Sequence, residues 1–347
     1  MPDLAALVCQ SVWADRSPCA EIVGSLPCLQ QVAGLLVGRD EGTFLQTRLM
    51  LDNLAGRASD PACWESGLAA DGDGAAGPAT QCAREVLAKV LELGKRLALE
   101  TGSGELASWA RGLFNRAVST SESGGRLFEW VFFEQAPAQF FPRLAARRWW
   151  QRDEAPLVPL VHALTEAFPA IRGEFLQLLH HGHELGEGDA YKMGWRFVPL
   201  WASGSGGDDC STVWQGPWCD RDLPSLCRAL RVAWPTLGSV GSAAVAVNDW
   251  HEAAELQAMP PGARLLLHND GHNARLNLHL ALLGGAGGWL TVGSETRRFG
   301  SDGAILIFDP SFDHEAGNDA ADQERWILNV GIAHPDYVSG SLPAARV

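Results

Sequence analysis

His268-Asn269-Asp270 and the later pair His314-Glu315 are the residues of this chain whose types and spacing carry the most chemistry. Residues i and i+2 of a β-strand project from the same face. A strand through this segment therefore lets His268 and Asp270 grip one ion while Asn269 points away. His314 then has to arrive from another strand of the same sheet. Two imidazoles and one carboxylate form the facial set that holds Fe(II) and leaves positions open for other ligands. An oxygenase needs such openings, because a cosubstrate and dioxygen must meet at the metal.

The strands that must position these groups are legible around them. Residues 262–270 form a short apolar run ending in the candidate ligands. In 274–283, Arg275, Asn277 and His279 alternate with Leu276, Leu278 and Leu280, so one face is polar and the other apolar. Beside a metal pair, that polar face reads as a cavity wall; an ordinary surface strand has the same pattern. Residues 287–293 and 303–308 are further short apolar runs bounded by turn residues, and 325–332 alternates again, with Arg325 and Asn329 on one face. Many short strands at close spacing point to a sandwich or barrel, and a double-stranded β-helix fits best. Arg325 follows His314 by eleven residues, on the next strand. Its planar fork suits a carboxylate such as the far end of 2-oxoglutarate.

Taken together these residues resemble the aspartyl/asparaginyl β-hydroxylase family. The resemblance runs from His268 through Asn273, Arg275 and His279, then from Gly303 through Phe308, Asp309, Ser311, Phe312, His314 and Glu315, to Arg325 and His334-Pro335-Asp336. Weaker likeness lies upstream in Phe140 to Trp150, Phe168 to Ile171, Trp195 to Leu200 and Cys227 to Pro235, so the whole spans roughly residues 135–340. The resemblance implies an Fe(II)- and 2-oxoglutarate-dependent dioxygenase that uses O2 and hydroxylates the β-carbon of an Asp- or Asn-like unit in a peptide, protein or amino acid. It implies that His268 and His314 bind iron and Arg325 binds the distal carboxylate of 2-oxoglutarate. It also implies that His279 helps to hold the C1 carboxylate and that Arg275 lines the substrate side. Two positions depart from the family pattern: Asp270 stands where its best-known members have Gly, supplying a third ligand, and Asn277 replaces a second Arg near the cosubstrate. The family's Ser near the distal carboxylate has no counterpart, residues 249–258 reading as a local insertion. Two alternatives remain: a tailoring oxygenase on a peptide natural product, free amino acid or lipid, and a non-catalytic binding protein on the same barrel.

Composition sets the bounds. The chain has 347 residues, 46% of them hydrophobic, and a net charge of −14. With no concentrated basic stretch, that balance argues against a nucleic-acid partner. No apolar run reaches the ~18 residues a membrane span needs. Met1-Pro2-Asp3 lacks a signal-peptide layout. Eight cysteines are scattered without a CxxC, so reduced thiols and a cytoplasmic setting are expected. Cys210, Cys219 and Cys227 lack the spacing of a structural zinc site.

Helices are expected over 3–14, 20–37, 43–56, 80–100, 104–119 and 155–181, the last around proline breaks. Loops are expected over 71–80 and 202–211, and a linker over 119–125. The chain is therefore divided into a helical N-terminal region, 1–125, and a β-helix oxygenase domain, 126–347. The first reads as a cap on the barrel, with contact to a partner protein as the other reading. His180, His181 and His183 read as a surface helix end.

Overall fold

A computed structural model describes residue 47 and residues 78–118, 129–141, 143–154, 157–181, 196–203, 212–214, 221–237 and 253–338. Two antiparallel sheets face each other. The larger is built from β1 (Trp149–Trp150), β2 (Arg196–Ser203), β3 (Thr212–Trp214), β4 (Ala253–Met259), β6 (Arg275–Leu283), β9 (Ile305–Phe308) and β11 (Arg325–Ala333), in the order β1-β9-β6-β11-β4-β2-β3. The smaller contains β5 (Arg264–His268), β7 (Gly288–Val292), β8 (Glu295–Arg298) and β10 (His314–Asn318), in the order β5-β10-β7-β8. From β4 to β11 the chain crosses between the sheets again and again. Each late strand lies beside an early one, β11 beside β6 and β4, β10 beside β5 and β7. That winding is the double-stranded β-helix expected from the sequence.

The leucine face of β6 explains where the fold places its polar face. Leu276, Leu278, Leu280 and Leu282 pack outward with Trp326, Leu328, Val330 and Ile332 of β11. They meet Leu160, Leu164, Ile171 and Phe175 of α3 (Val158–His180) and Leu226 and Leu230 of α4 (Pro224–Leu237). Helices thus cover the outside of the large sheet. Arg275, Asn277 and His279 are turned to the space between the sheets, and the surface-strand reading of 274–283 is set aside: all of Leu276–Leu282 is buried.

Ahead of the sheets stand α1 (Pro78–Thr101) and α2 (Gly104–Val118), joined by a core of Leu87, Leu91, Leu97, Leu106, Leu113 and Phe114 that also takes in Trp130 and Ala136. A short α5 (Pro335–Val338) follows β11.

Several expectations are corrected. Residues 253–259, overlapping the stretch read as a local insertion, form β4, a full partner of β11, with Ala254, Leu256 and Ala258 buried on one face and Glu255 and Gln257 partly buried on the other. The loop expected over 71–80 ends earlier, since α1 begins at Pro78; a proline is well tolerated in a first helical turn. The helix over 158–180 runs through Pro169 unbroken. Cys227 is buried and disulfide-bonded rather than a free thiol. β8 was missed because Glu295–Arg298 is an exposed, charged edge strand without an apolar face. His180 and His181 sit at the exposed end of α3, as expected. The expected helices over 3–14, 20–37 and nearly all of 43–56, the linker 119–125, the boundary near 125, His183 and most of the 202–211 loop lie outside the described residues.

Candidate metal centre

β5 and β10 are neighbours, and His268 and His314 are directly opposed partners in their register. Cross-strand partners on one face have side chains within contact range, and the two imidazole centroids are 4.2 Å apart. Past the end of β5 the backbone turns at Gly271, which adopts φ 83°, while the Asp270 amide donates to the Pro310 carbonyl at 2.9 Å. This brings the Asp270 carboxylate back over the imidazoles. Its Oδ1 lies 3.9 Å from His268 Nε2 and 3.8 Å from His314 Nε2. The three donor atoms all fall within 4.8 Å of one another, the only such group among the described residues. One cation between them needs only a small contraction.

The surroundings prepare all three groups as ligands. His268 Nδ1 lies 2.8 Å from the Leu266 carbonyl and His314 Nδ1 2.9 Å from the Phe312 carbonyl. A carbonyl can only accept, so both Nδ1 atoms carry the proton and both Nε2 lone pairs face Asp270. Such backbone hydrogen bonds orient metal-binding histidines generally. Burial, followed by the neighbouring His314, pushes His268 down to about 3, so it stays neutral. Burial also works to raise the Asp270 carboxyl. Arg275 first, then the two histidines and Asn277, outweigh it and hold the group below the usual carboxylate range. Asp270 Oδ2 accepts from Arg275 Nη2 at 2.7 Å and from Asn277 Nδ2 at 3.1 Å. That clamp uses one oxygen and leaves the other aimed at the imidazoles. The donor set of two neutral nitrogens and one ionised oxygen fits a divalent iron.

Beyond the imidazoles the polar face of β6 continues inward. His279 is buried against Phe308, with ring centroids 4.9 Å apart. Burial first, and Arg325 next, push it down to about 3. Arg325 is only 1% exposed, yet no acidic group among the described residues pairs with it. Its Nη1 reaches the Trp289 and Gly317 carbonyls at a long 3.4 Å, and its Nε has no hydrogen-bond partner. Burial lowers its guanidinium to about 10. Gly288 leaves it room, since a Cβ there would sit 2.7 Å from Arg325 Cδ. A buried cation without a counter-ion is costly, and an anionic ligand removes that cost.

Sequence reasoning named the residues gathered here: His268, Asp270, His314, Arg275, Asn277, His279 and Arg325. It placed Arg275 on the substrate side; in the structure its Nη2 is engaged with Asp270. It missed His272, a buried imidazole that burial pushes down to about 3 and whose Nε2 has no partner. It also missed the acid Asp313 beside His314, paired at 2.7 Å with Lys95 of α1. Charged residues set among Leu91, Leu93 and Leu97 were the available signal for Lys95.

Residues 165–335 match the family model described as Aspartyl/Asparaginyl beta-hydroxylase. The mouse protein named aspartyl/asparaginyl beta-hydroxylase is 28% identical over 209 residues, covering 58% of this chain and 25% of that protein. The human protein of the same name is 27% identical over the same length. This chain therefore spans about a quarter of those relatives. Among solved structures, a 2OG-Fe(II) oxygenase family oxidoreductase from Burkholderia pseudomallei is 16% identical, with a TM-score of 0.33 over 55% of this chain and 97% of that one. A Pseudomonas putida prolyl-4-hydroxylase is 15% identical, with a TM-score of 0.31 over 51% and 98%. At those scores the fold rests on the strand order itself. Residues 165–335 of this chain are thus similar in sequence to the aspartyl/asparaginyl β-hydroxylase family, and their strands are wound as a double-stranded β-helix.

Proposed function

We propose that the protein is an Fe(II)- and 2-oxoglutarate-dependent oxygenase that hydroxylates the β-carbon of an Asp- or Asn-like unit in a peptide, protein or amino acid. The observation that carries this reading is Arg325: a buried guanidinium with no acidic partner among the described residues, reaching from the large sheet toward the small sheet that carries the two histidines. A dicarboxylate that chelates at one end and carries a second carboxylate at the other satisfies both at once.

In this reading His268, Asp270 and His314 hold the iron, which supplies activation of O2 for attack on an unactivated C–H bond. Arg325 fixes the far carboxylate of 2-oxoglutarate, and His279 and Asn277 meet its near end. His279, neutral in its buried setting, offers a hydrogen bond without adding charge. Arg275 keeps Asp270 ionised and oriented, and its cationic edge faces the side from which an acidic substrate group approaches. The flanking sheets leave the His268 and Asp270 side chains only 22% and 18% exposed, which strengthens these polar contacts.

No helix among the described residues is long and apolar enough to cross a membrane. A cytoplasmic setting was expected from scattered thiols; the disulfide at Cys227 weighs against it. Asp- and Asn-containing peptides and the free amino acids, offered with Fe(II), 2-oxoglutarate and O2, test the proposal through succinate release. Release that depends on one substrate class and disappears in His314→Ala supports it. A folded, iron-loaded protein that releases no succinate with or without substrate favours a non-catalytic barrel.

A further inference from the structure

The last turns of α1 present a face that its apolar packing does not explain. Glu92, Lys95, Arg96 and Glu100 are all buried, although they lie on a helix whose neighbouring Leu91, Leu93 and Leu97 fill a core. Each of the four is turned toward the strands that carry the two histidines. Lys95 Nζ donates to both Asp313 oxygens, at 2.7 and 2.9 Å, and to the Phe133 carbonyl at 2.9 Å. All three ammonium hydrogens are used, and Asp313 is the residue immediately before His314. Arg96 Nε donates to the carbonyl of Leu267 at 2.8 Å, immediately before His268. Glu100 accepts from Arg264 of β5 at 3.0 Å, and the same guanidinium nitrogen reaches Glu315, immediately after His314, at 2.6 Å. Glu92 lies near enough to His268 to act on it electrostatically.

β5 needs such support. It is the last strand on its side of the small sheet, bonded to β10 alone, and its pairing with β10 is irregular between His314 and Ala316. An edge strand with a register irregularity is a loose place for a metal ligand. α1 packs against this strand and bonds to it through Arg96 and Glu100. Asp313 itself ties in two more segments, its amide donating to the Glu134 carbonyl and its carbonyl accepting from the Gly293 amide, both at 2.7 Å.

We propose that α1 is a positioning element of the metal centre: Lys95 and Arg96 act through Asp313 and the Leu267 carbonyl to hold His314 and His268 at the separation a single cation requires. The inference rests on the metal reading above and extends it. It makes the helix ahead of the barrel part of the catalytic unit rather than a separable cap. None of these four side chains touches the ion; they fix the peptide units on either side of the residues that do.

Co(II) is the probe, because its visible absorption reports ligand geometry without turnover. In the full chain, Lys95→Met combined with Asp313→Asn removes both charges of the buried pair together. The apoprotein is expected to keep its far-UV circular dichroism, while Co(II) binds about 10- to 100-fold more weakly and its visible bands change in position and intensity. Lys95→Arg, which keeps the ion pair, restores most of the affinity. Should the double variant fail to fold, Arg96→Gln applies the same test with one hydrogen bond removed, and altered Co(II) bands are again expected. Wild-type Co(II) affinity and bands in the folded variants, even with a lowered melting temperature, make α1 a mere buttress and overturn the inference alone. Wild-type protein that takes up no Co(II) through His268 and His314 removes the metal reading and this inference with it.

Discussion

Asp270 does two things through two oxygens. Oδ2 is occupied by Arg275 and Asn277, and Oδ1 stands over the two Nε2 atoms. Asp270→Gly removes the ligand and also releases Arg275 from its partner. Fe(II) affinity, measured by anaerobic titration, is expected to fall at least about tenfold, the lower end of what even an outer partner of a metal ligand costs. Unchanged affinity and turnover would mean that the site works with two histidines and that Asp270 merely anchors Arg275. The residue pattern also explains why Asn277 is compatible with this arrangement. A second guanidinium there would add a cation beside one that already serves Asp270, whereas the amide donates one hydrogen bond and adds no charge.

At the scale of elements, β6 decides most of the geometry. One strand carries Arg275, Asn277 and His279 on its inner face and a row of leucines on its outer face, so burial of the leucines against α3 and α4 fixes which way the polar groups point. A slip by one residue would exchange the two sets. Leu278→Ala is expected to destabilise the fold by about 2–5 kcal/mol, as for other large-to-small changes in a full core. Urea denaturation checks this; a loss below about 0.5 kcal/mol, typical of surface sites, would place the leucine face in solvent instead. This face was legible in the sequence because its period of two was intact. So was the ligand pair, since i and i+2 must share a face, and so was Arg325 on the next alternating strand. β4 went unread although Ala254, Glu255, Leu256, Gln257 and Ala258 alternate, because small alanines and long polar residues lack the β-branched and aromatic texture that marks a strand. The grip of α1 on β5 and β10 was illegible for another reason. Lys95 and Asp313 are 218 residues apart, and a single charge on each carries no pattern that links them.

Across the whole molecule, a net charge of −14 surrounds a small cationic interior of Arg275 and Arg325. In the proposed function, recognition of carboxylates is a local property of the cavity rather than of the protein's overall field. Titration follows the same division. His268, His272 and His279 each titrate at 6.5 when unperturbed and are pushed down to about 3, in every case chiefly by burial. Between those values the unfolded chain binds more protons than the folded one, so stability falls as pH drops through that window. Asp309 runs the other way: burial pushes it from 3.8 up to about 7, so it favours the fold as pH drops between those limits. Burial likewise raises Asp313 and lowers His334, so four imidazoles stand against two carboxyls. The metal-free protein is therefore expected to melt at a lower temperature at pH 5 than at pH 7, values on either side of the ordinary histidine range. Saturating Fe(II), bound to the deprotonated ligands, should raise the melting temperature at pH 7 by more than at pH 5. A metal-free protein equally stable at both values would mean that these imidazoles are solvated.

The central claim is that a dicarboxylate bridges the His268, Asp270 and His314 centre and the guanidinium of Arg325. Anaerobic titration of the Fe(II)-loaded protein with 2-oxoglutarate, followed by visible absorption, tests it most directly. A charge-transfer band is expected in wild-type protein, and in folded Arg325→Leu the band should saturate only at roughly 30-fold or higher 2-oxoglutarate, the cost of removing one partner of a buried charge pair. No band in folded wild-type protein, or the same half-saturation with and without Arg325, would contradict the account.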